Sequence, residues 1–474
     1  LIRTGWPFCQ HQAMLSNALL ASIEPNIPAA RLSLDEAERW TYGYDYSRKL
    51  SLPDAVAFPT GHAEVVELAR LCNEHHVPLI ARGRGTGTTG GAIPVNGGVV
   101  LSMERMNRIL EFDPVNRLMR VEPGVTNQAV QEKAATEGFF WPPDPGSASV
   151  CTVGGNLAFN AAGPSAVKYA TTRENTLGLV AVTAAGDTLR TGFNTTKGVT
   201  GYDLTRLLIG SEGTLAVITE ATLKLTPRPE THRTIAASYR NIEAATAAIV
   251  AIMSQSQIPA ALEFLDGGSL DLIRSQPELN IPMQAAAMLI IDVDGTHDSI
   301  DTAVQRITAA ASSDGLTGLN MSASETESGQ LWKARKALSP ALRSIAPNKL
   351  NEDVVVPVGN IPPLIEGLSQ LSRQYAIPIV NFGHAGNGNI HVNLLYDTQD
   401  PQQEANARPC LLEVFQLVIR LGGALSGEHG IGVEKMAYVG MEIDPVTLDY
   451  MRRIKLLFDP KGILNPGKVF PPIA

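Results

Sequence analysis

The chain has 474 residues, enough for two or three domains with sizeable cores, and its 44% hydrophobic and 18% charged content is that of a globular protein. A net charge of −9 argues against a nucleic-acid partner and requires any small anionic substrate to meet a local cationic clamp. Cys9, Cys72, Cys151 and Cys410 are far apart and form no C-x-x-C pair, so neither an iron–sulfur cluster nor a cysteine zinc site is indicated, and no apolar run reaches the roughly 18–20 residues of a membrane span. The sequence begins at Leu1, and residues 1–30 carry neither a basic start followed by an apolar segment nor a cleavage site. A cytoplasmic location is expected, with peripheral contact at the inner face of the membrane left open.

Gln12 to Ile23 reads as a helix ended by Pro25 and Pro28, within an N-terminal extension of residues 1–44. Ala55–Phe58 predicts a short strand, Ala63–His75 an amphipathic helix, and Val77–Ala81 a second strand. A glycine loop follows, Arg82-Gly-Arg-Gly-Thr-Gly-Thr-Thr-Gly-Gly91. Its Gly85-x-Gly87-x-x-Gly90 matches the dinucleotide fingerprint literally. That fingerprint requires a helix next, and here Val99–Ser102 reads as a strand, so NAD binding is rejected. A loop dense in backbone N–H groups still suits a diphosphate, and Arg82 and Arg84 favour an anion; a plain surface turn is the alternative. Leu118–Gly124 predicts a strand into a turn, and Asn127–Thr136 a helix. Pro142-Pro-Asp-Pro-Gly-Ser147 and a tract of small residues, Thr152 to Gly163, come next; such a tract lets backbone approach a flat ligand closely. Leu207 to Ile218 predicts a strand, a tight turn and a strand.

Composition shifts after Pro227-Arg-Pro229, which places a domain boundary between residues 45–228 and 229–425. Thr234–Ser238, Ala260–Leu265 and Ala287–Val293 predict strands, and Glu243–Met253 a helix. After a helix at Asp298–Ala311, the segments Val354–Val358, Pro363–Tyr375, Ile379–Phe382 and Ile390–Tyr396 give a similar βαββ series. An antiparallel sheet backed by helices is therefore expected. Between the two series, Leu331–Ser339 predicts a helix. Its Arg335 carries a planar fork that suits a carboxylate, although a solvated face is the usual fate of such a Lys/Arg run. Ser339 lies one turn further on the same face, and Lys349 is a weaker candidate.

His384 and His391 stand either side of Ala-Gly-Asn-Gly-Asn, where Gly386 and Gly388 allow the positive φ of a tight turn. The turn can bring both imidazoles together, and His391 and Asn393 share one strand face. Gly427-Glu-His-Gly-Ile-Gly432 adds Glu428 and His429 between glycines. Two His and one Glu make a ligand set for a divalent cation with open coordination positions, leaving His429 as a proton acceptor.

The order of these pieces resembles the FAD-binding domain of the vanillyl-alcohol oxidase family. The second half resembles the FAD-linked D-2-hydroxyacid dehydrogenases, which include D-lactate and D-2-hydroxyglutarate dehydrogenases; the likeness spans roughly residues 45–474. It implies an α+β chain: a two-subdomain PCMH-type FAD-binding domain at 45–228 and, at 229–425, an antiparallel-sheet cap with helices on one face. It implies that Arg82, Gly83, Arg84, Gly85, Thr86 and Gly87 hold the FAD diphosphate. Pro143, Ser147, Thr152, Gly155, Asn156, Asn160 and Gly163 would line the flavin, and Glu212, Gly213 and Ile218 would touch its adenosine or ribityl part. The glycine loop has no His or Cys, which some relatives use to attach the flavin covalently, so dissociable FAD is expected. A C-terminal segment, 426–474, would return to the flavin through Phe458–Lys468, with Asn465 either at the ring edge or simply a turn residue.

The resemblance further implies oxidation of a D-2-hydroxy acid, D-lactate first, to the 2-oxo acid. D-2-hydroxyglutarate and glycolate are the alternative substrates, and a non-redox flavin transferase of the alkylglycerone-phosphate synthase type is the alternative of another class. His384, His391 and Glu428 would hold zinc, with manganese or iron next, and His429 would act as base. Arg335, favoured over Lys333 and Lys336, would fix the carboxylate, with Ser339, Lys349 and Asn393 beside it. Two departures stand out: Asn387, where the family more often has Asp, and Lys168-Tyr-Ala170 in place of Arg-Tyr-Gly. No NAD fold or haem motif is present, so electrons are expected to pass to a quinone, a cytochrome or an electron-transfer flavoprotein. A homodimer is left open.

Overall fold

The computed structural model describes residues 15–471 except Asn26, Ser275, Pro277, Glu278 and Asn280. Cys9 and the first residues of the helix expected from Gln12 lie outside them. Within them that helix runs Asn17–Ile23, capped by the Ser16 hydroxyl.

Two larger sheets, with a short pairing of Phe139–Phe140 and Thr226–Pro227 beside them, build the N-terminal half among the described residues. In the first, β1 (Ala55–Ala57), β2 (Leu79–Arg82) and β3 (Val99–Ser102) are parallel in the order β1-β3-β2, with Leu32–Ser33 antiparallel on the β1 edge. The strands are short and apolar because both faces are covered. Helix α1 (His62–Glu74) turns Val65, Leu68, Ala69 and Cys72 onto them. In the second sheet, β4 (Ile109–Asp113), β5 (Leu118–Val121), β6 (Thr176–Val182), β7 (Thr188–Gly192) and β8 (Val217–Lys224) are antiparallel in the order β4-β5-β8-β6-β7. Its core gathers α2 (Asn127–Ala135) and α3 (Val153–Phe159) around the fully buried Trp141.

The stretch from Leu207 departs from expectation. It ends a helix, Leu204–Leu208, and strand begins only at Val217. Asp203 explains the difference by accepting Arg206 N–H at 2.9 Å, an N-cap that the apolar run concealed. The small-residue tract holds α3: Thr152 Oγ1 accepts Gly155 N–H at 3.2 Å, and Asn160 closes the helix in the left-handed conformation.

The second half is one seven-stranded antiparallel sheet of β9 (Thr231–Tyr239), β10 (Ala261–Asp266), β11 (Ala287–Gly295), β12 (Leu316–Met321), β13 (Asn348–Val355), β14 (Ile379–His384) and β15 (Asn389–Tyr396). Its order is β12-β9-β11-β10-β14-β15-β13. Helices α4 (Ile242–Met253), α5 (Gly267–Ile273), α6 (Ile300–Ala311), α7 (Glu325–Ala341), α8 (Ile361–Tyr375) and α9 (Pro401–Arg420) flank it. The expected helical layer is α4, α6, α8 and α9, sharing one core with alternate sheet residues such as Leu262, Phe264, Ile390, Val392 and Leu394. The other strand positions, including Leu265, Val380 and Phe382, meet α5 and α7 on the opposite face. By the two-residue alternation of strands, Glu263, His384, His391 and Asn393 also belong to that opposite face. The last helix, α10 (Pro445–Phe458), returns to the first half, where Lys455 Nζ donates to Thr214 O at 2.7 Å. No described helix is long and apolar enough to cross a membrane.

Candidate active site

A cleft of about 1110 Å³ lies between the glycine loop, the 144–150 turn and α3 on one side and the exposed part of the seven-stranded sheet on the other. Of the expected flavin residues, Arg82 to Gly87, Ser147, Thr152, Gly155, Asn156, Glu212, Gly213 and Ile218 line it. Pro143, Asn160, Gly163 and Asn465 do not. Pro143 O accepts from the buried Asn127 side chain at 2.9 Å, and Asn160 holds Arg173 N–H at 2.9 Å. A side chain at Gly163 would strike Asp144. Asn465 Nδ2 ties the tail to Gly91 O at 2.8 Å and Glu212 O at 2.7 Å, so its role is more than that of a turn.

The cleft wall fits a large anionic ligand with a flat part. A Cβ at Gly146 or Gly213 would meet nothing within 4 Å, so both open onto free space. At Gly83 the same atom would come within 2.4 Å of Thr152 Oγ1, the cap of α3, so the loop tolerates no side chain there. The buried Nη1 of Arg82 has no hydrogen-bond partner among the described residues, which an anion would supply. These features fit FAD.

On the facing wall, β14 and β15 form the hairpin that the two histidines implied. Gly388 takes φ +75° and approaches Val356 O so closely that any Cβ would clash. Gly386 is needed for space rather than φ, since a Cβ there would press on Val167. His384 and His391 rings stand edge to face with centroids 5.1 Å apart. His384 Nε2 lies 3.3 Å and His391 Nε2 3.7 Å from Glu428 Oε1. One donor atom from each of the three residues falls within 4.8 Å of the others, close enough to hold a divalent cation. His429 stacks on His391 at 5.3 Å, with Nε2 3.9 Å from Glu428 Oε1 and Nδ1 3.5 Å from Asp353 Oδ1.

Three carboxylates hold this arrangement: Glu263 and Asp353, which sequence reasoning missed, and Glu212, which it had expected only at the flavin. Glu263, fully buried on β10 and opposite His384 in register, accepts from His384 Nδ1 through Oε1 and from Arg335 Nε through Oε2, the latter at 2.6 Å. Asp353, fully buried on β13, accepts the N–H groups of Gly427, Glu428 and His429 at 2.9, 2.7 and 2.8 Å and pairs with the buried Lys435. From the opposite wall of the cleft, Glu212 accepts Ile431 N–H at 2.6 Å and Gly432 N–H at 2.8 Å. The loop carrying Glu428 and His429 is thus pinned by buried carboxylates from both halves. A lone charge at an inward strand position, as in Ala-Leu-Glu263-Phe, was the available signal, because a buried carboxylate must be partnered.

The electrostatics follow. Burial alone would raise the Glu263 carboxyl, but His384 and then Arg335 outweigh it and hold it well below its usual range. Burial alone would lower His384, but Glu263 and Glu428 outweigh it and raise it. His391 is driven well below its usual value by burial and by His384 beside it, which suits a neutral ligand. Asp144, also in the cleft wall, is raised to about 7 by burial, against hydrogen bonds from Ser165.

Arg335 is buried on α7 with its guanidinium 4.7 Å over the Phe382 ring, while Lys333 and Lys336 are exposed. Ser339 lines the cleft one turn on, and Lys349 Nζ donates to its Oγ at 2.8 Å without lining the cleft itself. Asn393 is fully buried and donates to Val380 O at 3.1 Å and His391 O at 3.2 Å, so the structure places it beneath the cleft. Lys168 and Tyr169, at one of the family departures, both pair with Asp294 of β11.

Residues 53–192 match the family described as FAD binding domain, and residues 228–469 the family described as FAD linked oxidases, C-terminal domain. The chain belongs to the FAD-linked oxidase family. It is 39% identical to the glycolate oxidase subunit GlcD of Bacillus subtilis, over 92% of this chain and 93% of that one. A D-lactate dehydrogenase of Archaeoglobus fulgidus is 36% identical, over 90% and 95% of the two chains. A D-2-hydroxyglutarate dehydrogenase of Stutzerimonas stutzeri is 30% identical, over 96% and 100%. Among solved structures, p-cresol methylhydroxylase with substrate bound superposes with a TM-score of 0.78 at 18% identity, covering 96% of this chain and 97% of that one, which establishes the common fold. An FAD-dependent oxidoreductase is therefore established by the family, and its PCMH-type fold by the structural likeness.

Proposed function

We propose that this FAD-linked oxidoreductase oxidises a short 2-hydroxy acid, D-lactate or its one-methyl-smaller analogue glycolate, to the 2-oxo acid. The observation that carries the reading is the convergence of His384, His391, Glu428 and His429 beside Arg335 on the wall facing the flavin-binding loops. His384, His391 and Glu428 would hold a divalent cation, zinc first and manganese or iron next. Bound FAD supplies a hydride acceptor, and the cation supplies acidification of the substrate hydroxyl.

Arg335 receives the substrate carboxylate on its Nη edge, because Nε is already committed to Glu263. Ser339 lines the same end of the cleft, with Lys349 behind it donating to its hydroxyl at 2.8 Å. His429 takes the hydroxyl proton at Nε2, since Nδ1 is turned toward Asp353. Glu263 and Asp353 keep the charged groups in register and are themselves sealed from water. Electrons leave to an external acceptor, such as a quinone, a cytochrome or an electron-transfer flavoprotein. The test is turnover of the FAD-loaded protein with an artificial dye and a panel of D- and L-2-hydroxy acids. Stoichiometric 2-oxo acid from glycolate or D-lactate supports the reading; dye reduction by none of the acids sinks it.

A further inference from the structure

We infer that Glu263 is a positioning residue shared by the cation site and the carboxylate clamp, so that the two are energetically linked through one carboxylate. The inference rests on the proposed roles of the His384–His391–Glu428 cluster and of Arg335. Glu263 is fully buried, and its two oxygens are divided: Oε1 takes His384 Nδ1 and Oε2 takes Arg335 Nε at 2.6 Å. These are its two hydrogen-bond partners among the described residues. Holding the proton on Nδ1 frees His384 Nε2 toward Glu428, 3.3 Å away, which is the tautomer a cation requires. Holding Nε fixes the guanidinium against Phe382 and leaves its other edge free for a substrate.

A single carboxylate shared between two donors gives to one what it withholds from the other. Removing Arg335 leaves Glu263 wholly to His384, makes Nε2 a stronger ligand and should tighten cation binding. Neutralising Glu263 should do the reverse and release Arg335 as well. Two substitutions therefore move one observable in opposite directions, and Arg335→Met should lose most of its effect in the Glu263→Gln background, which through-space repulsion of the cation by Arg335 would not do.

The experiment titrates zinc into the metal-stripped, FAD-loaded full chain against a chromophoric chelator. Glu263→Gln is expected to weaken zinc by about 10- to 100-fold and, at saturating zinc, to raise KM for the hydroxy acid by about tenfold or more. Arg335→Met is expected to tighten zinc by about threefold or more while abolishing turnover. Should Glu263→Gln fail to fold, Arg335→Met alone decides the matter, because unchanged or weaker zinc binding overturns the link. Parental zinc affinity in both variants also overturns it and leaves the cation site standing. A parent that binds no zinc removes the cation site and the inference together.

Discussion

Replacing Asp353 with Asn exchanges one carboxylate oxygen for an NH2 while keeping the shape. In the parent, Oδ2 accepts three consecutive amides of the 427–429 loop and Oδ1 pairs with Lys435. Hydrogen bonds to a charged acceptor contribute about 1.5–3 kcal/mol against 0.5–1.5 for a neutral one, so three weakened bonds cost about 3 kcal/mol. The new NH2 also faces the Lys435 ammonium, and breaking a buried pair costs about 3–5 kcal/mol. Glu352, 3.2 Å from Lys435 Nζ, offsets part of that. A net loss of about 4–6 kcal/mol falls on one loop, and the cheapest response is for that loop to detach while the separate cores stay folded. Glu428 and His429 would leave the cleft with it. The assay is FAD content by absorbance, then stopped-flow flavin reduction. FAD should be retained, since its loops lie on the other wall, and reduction should slow by roughly 100-fold or more. Parental reduction in a protein whose melting temperature has fallen would refute the idea that Asp353 sets the loop's register.

Other outcomes follow from the same geometry. His429→Ala should leave FAD bound and abolish flavin reduction in single-turnover mixing; undiminished reduction would mean that another group takes the proton. Gly83→Ala sets a Cβ 2.4 Å from Thr152 Oγ1, and displacing that cap should weaken FAD by about tenfold or more, read by flavin fluorescence on dilution. Burial, with Arg343 adding to it, lowers Lys349 to about 8. Its charge is present below that pH and fades above it. KM for the anionic substrate should therefore climb as pH rises through about 8, and Lys349→Met should raise KM at neutral pH and flatten the climb. An identical pH profile in the variant would remove Lys349 from substrate binding.

Much of this architecture was written locally. The hairpin bearing His384 and His391 was legible because its strands are apolar runs and its turn is glycine-framed. The Glu428–His429 loop was legible for the same reason. The helix carrying Arg335 was found, but it begins six residues earlier than Leu331, where Ser324 caps Glu327 N–H amid polar residues that hid the periodicity. Helix α9 was missed; Pro409 in its interior reads as a break, yet its Asp400 cap and Pro401 start are ordinary helix signals. Asp353 and Lys435 were not legible as site residues, and Glu263 only as a lone charge among apolar strand residues. Their partners lie tens to hundreds of positions away, and a strand carboxylate reads as solvated until the sheet is closed over it. Lys349 and Asn393 were offered from their positions in the sequence; one reaches the cleft through Ser339, and the other is fully buried and bonded to backbone carbonyls.

The most direct measurement is anaerobic mixing of glycolate and of D-lactate with the FAD-loaded protein, before and after treatment with a chelator. The yellow flavin should bleach before chelation, stay oxidised after it, and bleach again when zinc is added. Bleaching at the same rate in the chelator-treated protein would contradict the account, as would a flavin that neither acid reduces in any metal state.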